Sequence, residues 1–444
     1  MISHSFSFPS DGDALVNARA LQTALDTFHD VTVINPGVYD VAGTIFLSDH
    51  THVTFAPGVI LKRQPDPSGK NGYFFVNRGA FTGTVNEDIA VIGLSMLANS
   101  VESAAAQIVP HLPELAAGGA DALNAFFDTV ILGLRAHLAF LYVKDLVIRD
   151  FTLPDLCAWD YGVQISDFEN VTLENIRIEG NKDGVHFGPG RHFVLKNGVF
   201  RTKDDPIALN ADDYSPSGAT IGMLEDGLIE NCVDENQDST FGYFIRLHVG
   251  AACPWTHGMT VTHSDSVMVE DRLYRTVLPA DHLPHVSLTP PTHEEGFAVL
   301  DGIPWVRVKP LCPSPIAAVR NVTLKDLTVE KDRDAVVLLY MSDNEHHHGW
   351  REGAPVPVTE NVTFENVRVT GNIRTAFWFC APEKNLTLKD CDLNGGAVRF
   401  EQGSCGFGAY PASFTLENVK NFRLDDGDAF RDPPEGAPHY PVKY

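Results

Sequence analysis

Residues 181–205 read NKDGVHFGPGRHFVLKNGVFRTKDD, and the spacing inside this stretch decides the fold. Asp183 follows Asn181 closely, and the adjacent pair Asp204 and Asp205 begins 21 residues after it. Between the two acidic clusters the apolar residues come in short period-two alternations: Val185 and Phe187, Phe193 and Leu195, then Val199. A strand, a turn and two more short strands bring a chain back to its starting height. The acidic clusters then stack one above the other on one face. Carboxylates on neighbouring rungs are the groups that acid–base hydrolysis requires.

The same plan recurs on both sides. VKDLVIRDFTL (143–153), FENVTLENIRIEG (168–180), HFVLKNGVF (192–200), GLIENCVDE (227–235), VRNVTLKDLTVEK (319–331), TENVTFENVRVTG (359–371) and EKNLTLKDCDLNG (383–395) each pair two alternating triplets across a polar step. Phe193 stands 22 residues after Val171, and Asn385 stands 24 after Asn361. A repeat this short has no room for a helix in each unit, so it predicts an all-β solenoid of stacked coils. Asn170, Asn321 and Asn361 each open an Asn-Val-Thr triplet that formally matches a glycosylation acceptor. Their recurrence fits a turn asparagine that hydrogen-bonds backbone in every coil.

Outside the coils the pattern changes. Asp11 and Asp13 precede an amphipathic segment carrying Ala18, Leu21, Leu25 and Phe28, which predicts a capping helix at the N-terminal end of the stack. Residues 99–127 are rich in Ala and Leu and predict a helical insertion. Residues 250–302 and 342–358 predict loop insertions, and 425–444 an extended Pro- and Gly-rich tail, all on one domain spanning 1–444.

The chain carries 58 acidic and 33 basic side chains, a net charge of −25, which argues against nucleic acid or an anionic membrane as partner. The seven cysteines are odd in number and form no CxxC, so buried free thiols in a reducing compartment are expected. The opening MISHSFSFPSDGD has neither the basic nor the apolar part of a signal peptide, which predicts a cytoplasmic protein unless a signal has been removed. The most apolar window, 129–143, is interrupted by Arg135 and His137 and is too short to span a bilayer. The run His346-His347-His348 suggests a metal, but adjacent strand residues face opposite sides and no carboxylate pattern accompanies them. Neither metal nor cofactor is expected.

Several of these segments together resemble glycoside hydrolase family 28, the polygalacturonase-type right-handed parallel β-helices. The opening SDGDALVNARALQTALD is similar to that family's cap helix. NKDG at 181–184 matches its Asn-Thr-Asp motif in the asparagine and the aspartate, and TKDDPIAL at 202–209 matches its Gly-Asp-Asp motif in both aspartates. WVRVK at 305–309 is similar to its Arg-Ile-Lys motif. The chain departs from the family one coil after the paired aspartates. Where the family has Gly-His-Gly, this chain reads FGYFIRLHVGA, with Tyr243 at the histidine position, His248 further along and His257 in the following loop. The resemblance implies inverting hydrolysis of a glycosidic bond in a uronate-bearing poly- or oligosaccharide. Asp204 would be the general acid, and Asp183 and Asp205 would hold and activate the water. It also implies substrate contacts from Asn181, Arg307, Lys309 and, on a later coil, Tyr340.

Strand parity adds to this set. If Val185, Phe187, Ile207, Leu209, Ile245, Leu247, Val306 and Val308 point inward, then His186, Arg246, His248, Arg307 and Lys309 point outward, where cations could bind a sugar carboxylate. Asp183 and Asp205 have the inward parity, so they must lie in turns just before their strands. Two rival readings use the same architecture: a polysaccharide lyase, relying on a basic residue and often calcium, and a carbohydrate-binding β-helix without catalysis.

Overall fold

The computed structural model describes all residues except 1–2, 11, 70, 107, 109–110, 158, 280–282, 344–346, 402–413 and 429–444. Most of the tail expected at 425–444, as well as Asp11, His346 and Cys405, lie outside the described residues. A single large sheet system of parallel pairings winds along the chain as a right-handed parallel β-helix. Each coil has three faces, clearest where the sequence repeat is most regular. Tyr161–Gly180 runs around two corners, a turn follows, and Val185–Phe187 then lies directly over the start of that strand, with Val163 opposite Val185 and Ile165 opposite Phe187. Gly190–Thr202 continues over Tyr161–Gly180, and Leu224–Asp234 over Gly190–Thr202.

The corners explain the asparagines. At the first corner Asp145, Asn170, His192, Asp226, Asn321, Asn361 and Asn385 occupy successive coils, all with φ between 55° and 59°. At the second stand Asp150, Asn175, Asn197, Asn231, Asp326, Asn366, Asp390 and Asn418, with φ between 50° and 56°. Left-handed backbone is costly for most L-residues and least so for Asn and Asp. The expectation that these side chains bond backbone needs correcting: they bond one another between coils. Asn170 donates to Asp145 at 2.9 Å, Asn361 to Asn321 at 2.9 Å, Asn197 to Asn175 at 2.9 Å and Asn231 to Asn197 at 2.8 Å. Coils only 4.7–4.9 Å apart put equivalent side chains within reach of each other.

The core is a column of inward residues. Val185, Phe187, Ile207, Leu209, Ile245, Leu247, Val337 and Leu339 are all buried in one continuous apolar cluster. The cap helix, α1 (Ala14–Phe28), begins at Asp13, whose carboxylate accepts the Val16 N–H at 2.8 Å, and buries Ala18, Leu21 and Leu25 against the first coils. The insertion at 99–127 contains two short helices, Leu112–Ala117 and Gly119–Phe127. No helix among the described residues is long and apolar enough to cross a membrane.

The region 250–302 departs from the loop expected there. Cys253–Pro254, Ser266–Val269, Arg272–Thr276, Phe297–Leu300 and Ile303–Val308 form a separate five-stranded sheet with its own core of Val261, Val267, Tyr274, Ile303 and Trp305. The prolines stand mostly at its margins, while a hairpin turning at Glu270-Asp271 carries the alternation of SVMV and RLYRT. Residues 342–358 have no regular strand or helix among the described positions, as expected of a loop.

Candidate active site

Asp183 and Asp205 both lie in the turns that precede their strands, as parity required. The two turns are stacked: the Gly184 N–H donates to the Asp205 carbonyl at 2.9 Å. The outward positions of the next three strands bring His186, Ala208 and Arg246 into one register column, and Asn210, His248 and Tyr340 into another. Ala208 has almost no side chain, so the Arg246 guanidinium reaches across it toward the acidic turns. Arg246 Nη1 is 3.0 Å from Asp205 Oδ2, and Nη2 is 3.3 Å from Asp213 Oδ2 and 3.9 Å from Asp183 Oδ2.

Asp183 is fully enclosed by charge partners. Lys182 Nζ lies 2.8 Å from its Oδ1 and His186 Nε2 lies 2.5 Å from its Oδ2. Burial alone would raise this carboxyl, but Lys182, His186 and Arg246 outweigh it and hold Asp183 well below the usual range. Asp205 accepts the Tyr243 N–H at 2.8 Å on one oxygen and faces Arg246 with the other. Asp204 is different. Burial and the charges of Asp183 and Asp205 push its carboxyl up to about 7, although Lys182 also bonds it and pulls the other way. Asp183 held low beside Asp204 raised toward neutrality is the separation of carboxyls that an acid–base set uses. The nearest oxygens of the three lie within 4.8 Å of one another.

A cavity of about 310 Å³ opens over this cluster, lined among others by Asp204, Asp205, Tyr243, Arg246, His248 and Tyr340. His248 is buried, stacks on Tyr340 with ring centroids 4.3 Å apart, and hydrogen-bonds the Ser342 hydroxyl at 2.9 Å. Burial pushes its imidazole down, and Asp213 only partly restores it. Tyr243 serves the cluster through its backbone N–H as well as lining the cavity. His257 is exposed in a turn of the 250–302 insertion, 2.9 Å from the Leu288 carbonyl, and does not line the cavity. Asn181 is exposed, and its backbone N–H, bonded to the Leu156 carbonyl at 3.0 Å, fixes the start of the turn.

Arg307 and Lys309 are not where the motif likeness put them. They belong to Ile303–Val308 and the residue after it, on the inserted sheet rather than a coil. Arg307 donates to the Leu273 and Val308 carbonyls at 2.9 and 2.6 Å, and Lys309 pairs with Glu295 at 2.7 Å. Both line a separate cavity of about 530 Å³, which shares no lining residue with the one over the aspartates. The next coil, Val319–Val329, does follow as the sequence repeat requires, pairing with Leu224–Asp234.

Several residues that the sequence did not single out hold the site together. Lys182 and Asp213 contact it directly. Asn210 donates to Asp213 at 2.6 Å, and Asp213 is held low, burial notwithstanding, by His248 and Arg246. Lys331 is buried and donates to the carbonyls of Thr202, Lys203 and Phe241, at 2.8, 2.8 and 3.2 Å, tying the Asp204 turn to the Tyr243 turn. Arg333 pairs with buried Asp234 through two bonds of 2.6 and 2.9 Å and also reaches the Phe241 carbonyl. The available signal was EKDRD at 330–334, charges at the equivalent turn two coils on.

Among solved structures, the fold matches a family 28 exopolygalacturonase of Yersinia enterocolitica with a TM-score of 0.50 and 13% identity, over 99% of this chain and 80% of that one. The fold is polygalacturonase-like. Lower-scoring matches to this polygalacturonase-like solenoid are an endo-xylogalacturonan hydrolase of Aspergillus tubingensis (TM-score 0.46, 10% identity, 99% of each chain) and the adhesin PfbA of Streptococcus pneumoniae (TM-score 0.45, 12% identity, 96% of this chain and 99% of that one). No family model and no curated protein matches the sequence. At these identities the likeness concerns the polygalacturonase-like fold alone.

Proposed function

We propose that the protein is a glycoside hydrolase acting on a poly- or oligosaccharide, with uronate-containing, pectin-like chains as the first substrates to test. The observation that carries this reading is the split among three clustered carboxyls, two of which, Asp204 and Asp205, line the cavity: Asp204 is raised to about 7, Asp183 is held well below the ordinary range, and Asp205 is clamped by Arg246. In this reading Asp204 gives its proton to the leaving glycosidic oxygen. Asp183, bonded by Lys182 on one oxygen and His186 on the other, helps to hold the attacking water. Asp205 then takes the proton from the attacking water. Arg246, with three carboxylates already around it, and Tyr340 and His248 line the place where the sugar would lie.

The resemblance implies inversion at the anomeric carbon. The nearest oxygens of the three carboxyls lie within 4.8 Å of one another, and the stereochemical outcome distinguishes two routes. A water held between acid and base needs carboxyls roughly 6.5–9.5 Å apart, against about 5–5.5 Å where one of the pair attacks the sugar directly. The test is incubation with galacturonate oligosaccharides and neutral glycans, with new reducing ends counted and the first-formed anomer read by NMR. Inversion supports the water route and retention the direct one. An unsaturated product absorbing in the ultraviolet would make the protein a lyase, and no product from any glycan would favour the binding-only reading. Cys157, Cys232, Cys253, Cys312 and Cys391 are free thiols, which supports activity in a reducing compartment such as the cytoplasm. Loss of activity on adding a thiol reductant would contradict that.

A further inference from the structure

Lys182 stands between the two motif residues Asn181 and Asp183, where the family pattern named above has a threonine. Its ammonium bonds Asp183 Oδ1 at 2.8 Å and bonds Asp204 as well, and it lies 5.7 Å from the centre of the Tyr161 ring. The side chain is only 17% exposed, so solvent screens these contacts weakly. We infer that Lys182 is the positioning residue of the general acid: it holds Asp204 against Asp183 and supplies the countercharge for the Asp204 carboxylate formed as the proton leaves. The inference rests on the hydrolase reading for its role in turnover, but the coupling of Lys182 to Asp204 does not.

The argument is electrostatic. When Asp204 is protonated, the cluster holds two anions, Asp183 and Asp205, with Lys182 and Arg246 between them. When Asp204 transfers its proton to the leaving oxygen, a third anion appears within 4.8 Å of the other two. Water cannot disperse that charge in a buried site, and each pair of like charges is strongly repulsive at such distances. A fixed ammonium already in contact needs no rearrangement at that moment. Lys182 keeps its own proton throughout, because Asp183 and Asp204 push its affinity for that proton up more than burial lowers it. It makes Asp204 a stronger acid than the same carboxyl would be beside two bare carboxylates.

The other charged and titratable groups around Asp204 do not replace it. Asp205 on the same turn is an anion facing Arg246. Tyr243 and Asp334 line the cavity from the following coils as a phenol and an acid, and burial pushes the phenol up to about 12. Lys331 is committed to three backbone carbonyls beneath the turn, and burial with Arg333 pushes it down to about 8. Lys182 is therefore the cation in direct contact with the Asp204 carboxylate.

The experiment is a carboxyl carbon NMR titration of the full protein with labelled aspartate, in the wild type, Lys182→Met and Lys182→Arg, with the Asp204 signal assigned by its loss in Asp204→Asn. The Asp204 midpoint should rise by about one pH unit or more in Lys182→Met and return most of the way in Lys182→Arg. If glycan turnover is found, the alkaline limb of kcat/KM should move by the same amount, with kcat falling more than KM changes. An Asp204 midpoint that stays in place or falls in a folded Lys182→Met protein would overturn the inference. Absence of any turnover, with the midpoint shifted as expected, would instead count against the hydrolase reading alone. If Lys182→Met does not fold, Lys182→Gln at the same position gives the titration, with the same two outcomes.

Discussion

Arg246 Nη1 lies 3.0 Å from Asp205 Oδ2, reached past the small Ala208, its register partner on the same rung as Asp205. The same guanidinium faces Asp183 and Asp213, so three carboxylates share one cation. Removing one partner of a buried ionic set leaves uncompensated charge and costs roughly 3–5 kcal/mol. Arg246→Met should therefore lose about that much stability in urea unfolding. Arg246→Lys should lose less, because an ammonium keeps the charge but cannot fork to several acceptors.

Asp204→Asn should stabilise the protein at high pH. The native carboxyl binds its proton up to about 7, whereas the unfolded chain releases it near the ordinary value of 3.8. The native state therefore holds a proton the unfolded state lacks, and the benefit, full below the unfolded value, is lost as pH rises through 7. An amide does not titrate. The melting temperature of Asp204→Asn relative to wild type should rise between pH 5 and pH 8, and a constant difference would show that Asp204 does not titrate abnormally.

The corner asparagines give a test free of the site. Asn197 has φ 55° and sits in the middle of a ladder, donating to Asn175 and accepting from Asn231. Asn197→Ala should cost about 2 kcal/mol, from left-handed strain plus two exposed hydrogen bonds. Asn197→Gly should cost roughly half of that, since glycine meets the backbone requirement without the bonds. Equal losses would mean that the ladder bonds, not the backbone angle, set the preference.

Lys309 is a check on where the sugar binds. Its ammonium pairs with Glu295 at the separate cavity. Lys309→Ala should change KM for a uronate substrate by less than about twofold, close to the noise of a surface change. A tenfold rise would mean that substrate reaches the inserted sheet.

The coil repeat was legible because a solenoid writes its period into the sequence: inward apolar residues every second position and Asn or Asp at two corners. The placement of Asp183 and Asp205 in turns followed from parity alone. His186, Arg246 and His248 followed from strand parity and Tyr340 from the family resemblance, and all four stand around the acidic cluster. Arg307 and Lys309 misled because the alternation of WVRVK suits an antiparallel strand as well as a coil, and nothing local distinguishes the two. Lys182 was passed over because a lysine beside an aspartate in a turn reads as solvated. Only the stacking of the next coil's Asp204 against it makes it buried. Asp213, Lys331 and Arg333 likewise acquire their contacts from residues dozens of positions away.

The proposed hydrolysis depends on Asp204 as its proton donor. The most direct measurement is turnover of a cleavable uronate oligosaccharide by wild type and Asp204→Asn, with folding of both confirmed by circular dichroism. The account predicts a loss in kcat of about 10²–10⁴-fold or more, with KM little changed, because the amide keeps the shape but has no proton to give. Wild-type kcat in a folded Asp204→Asn protein would contradict it.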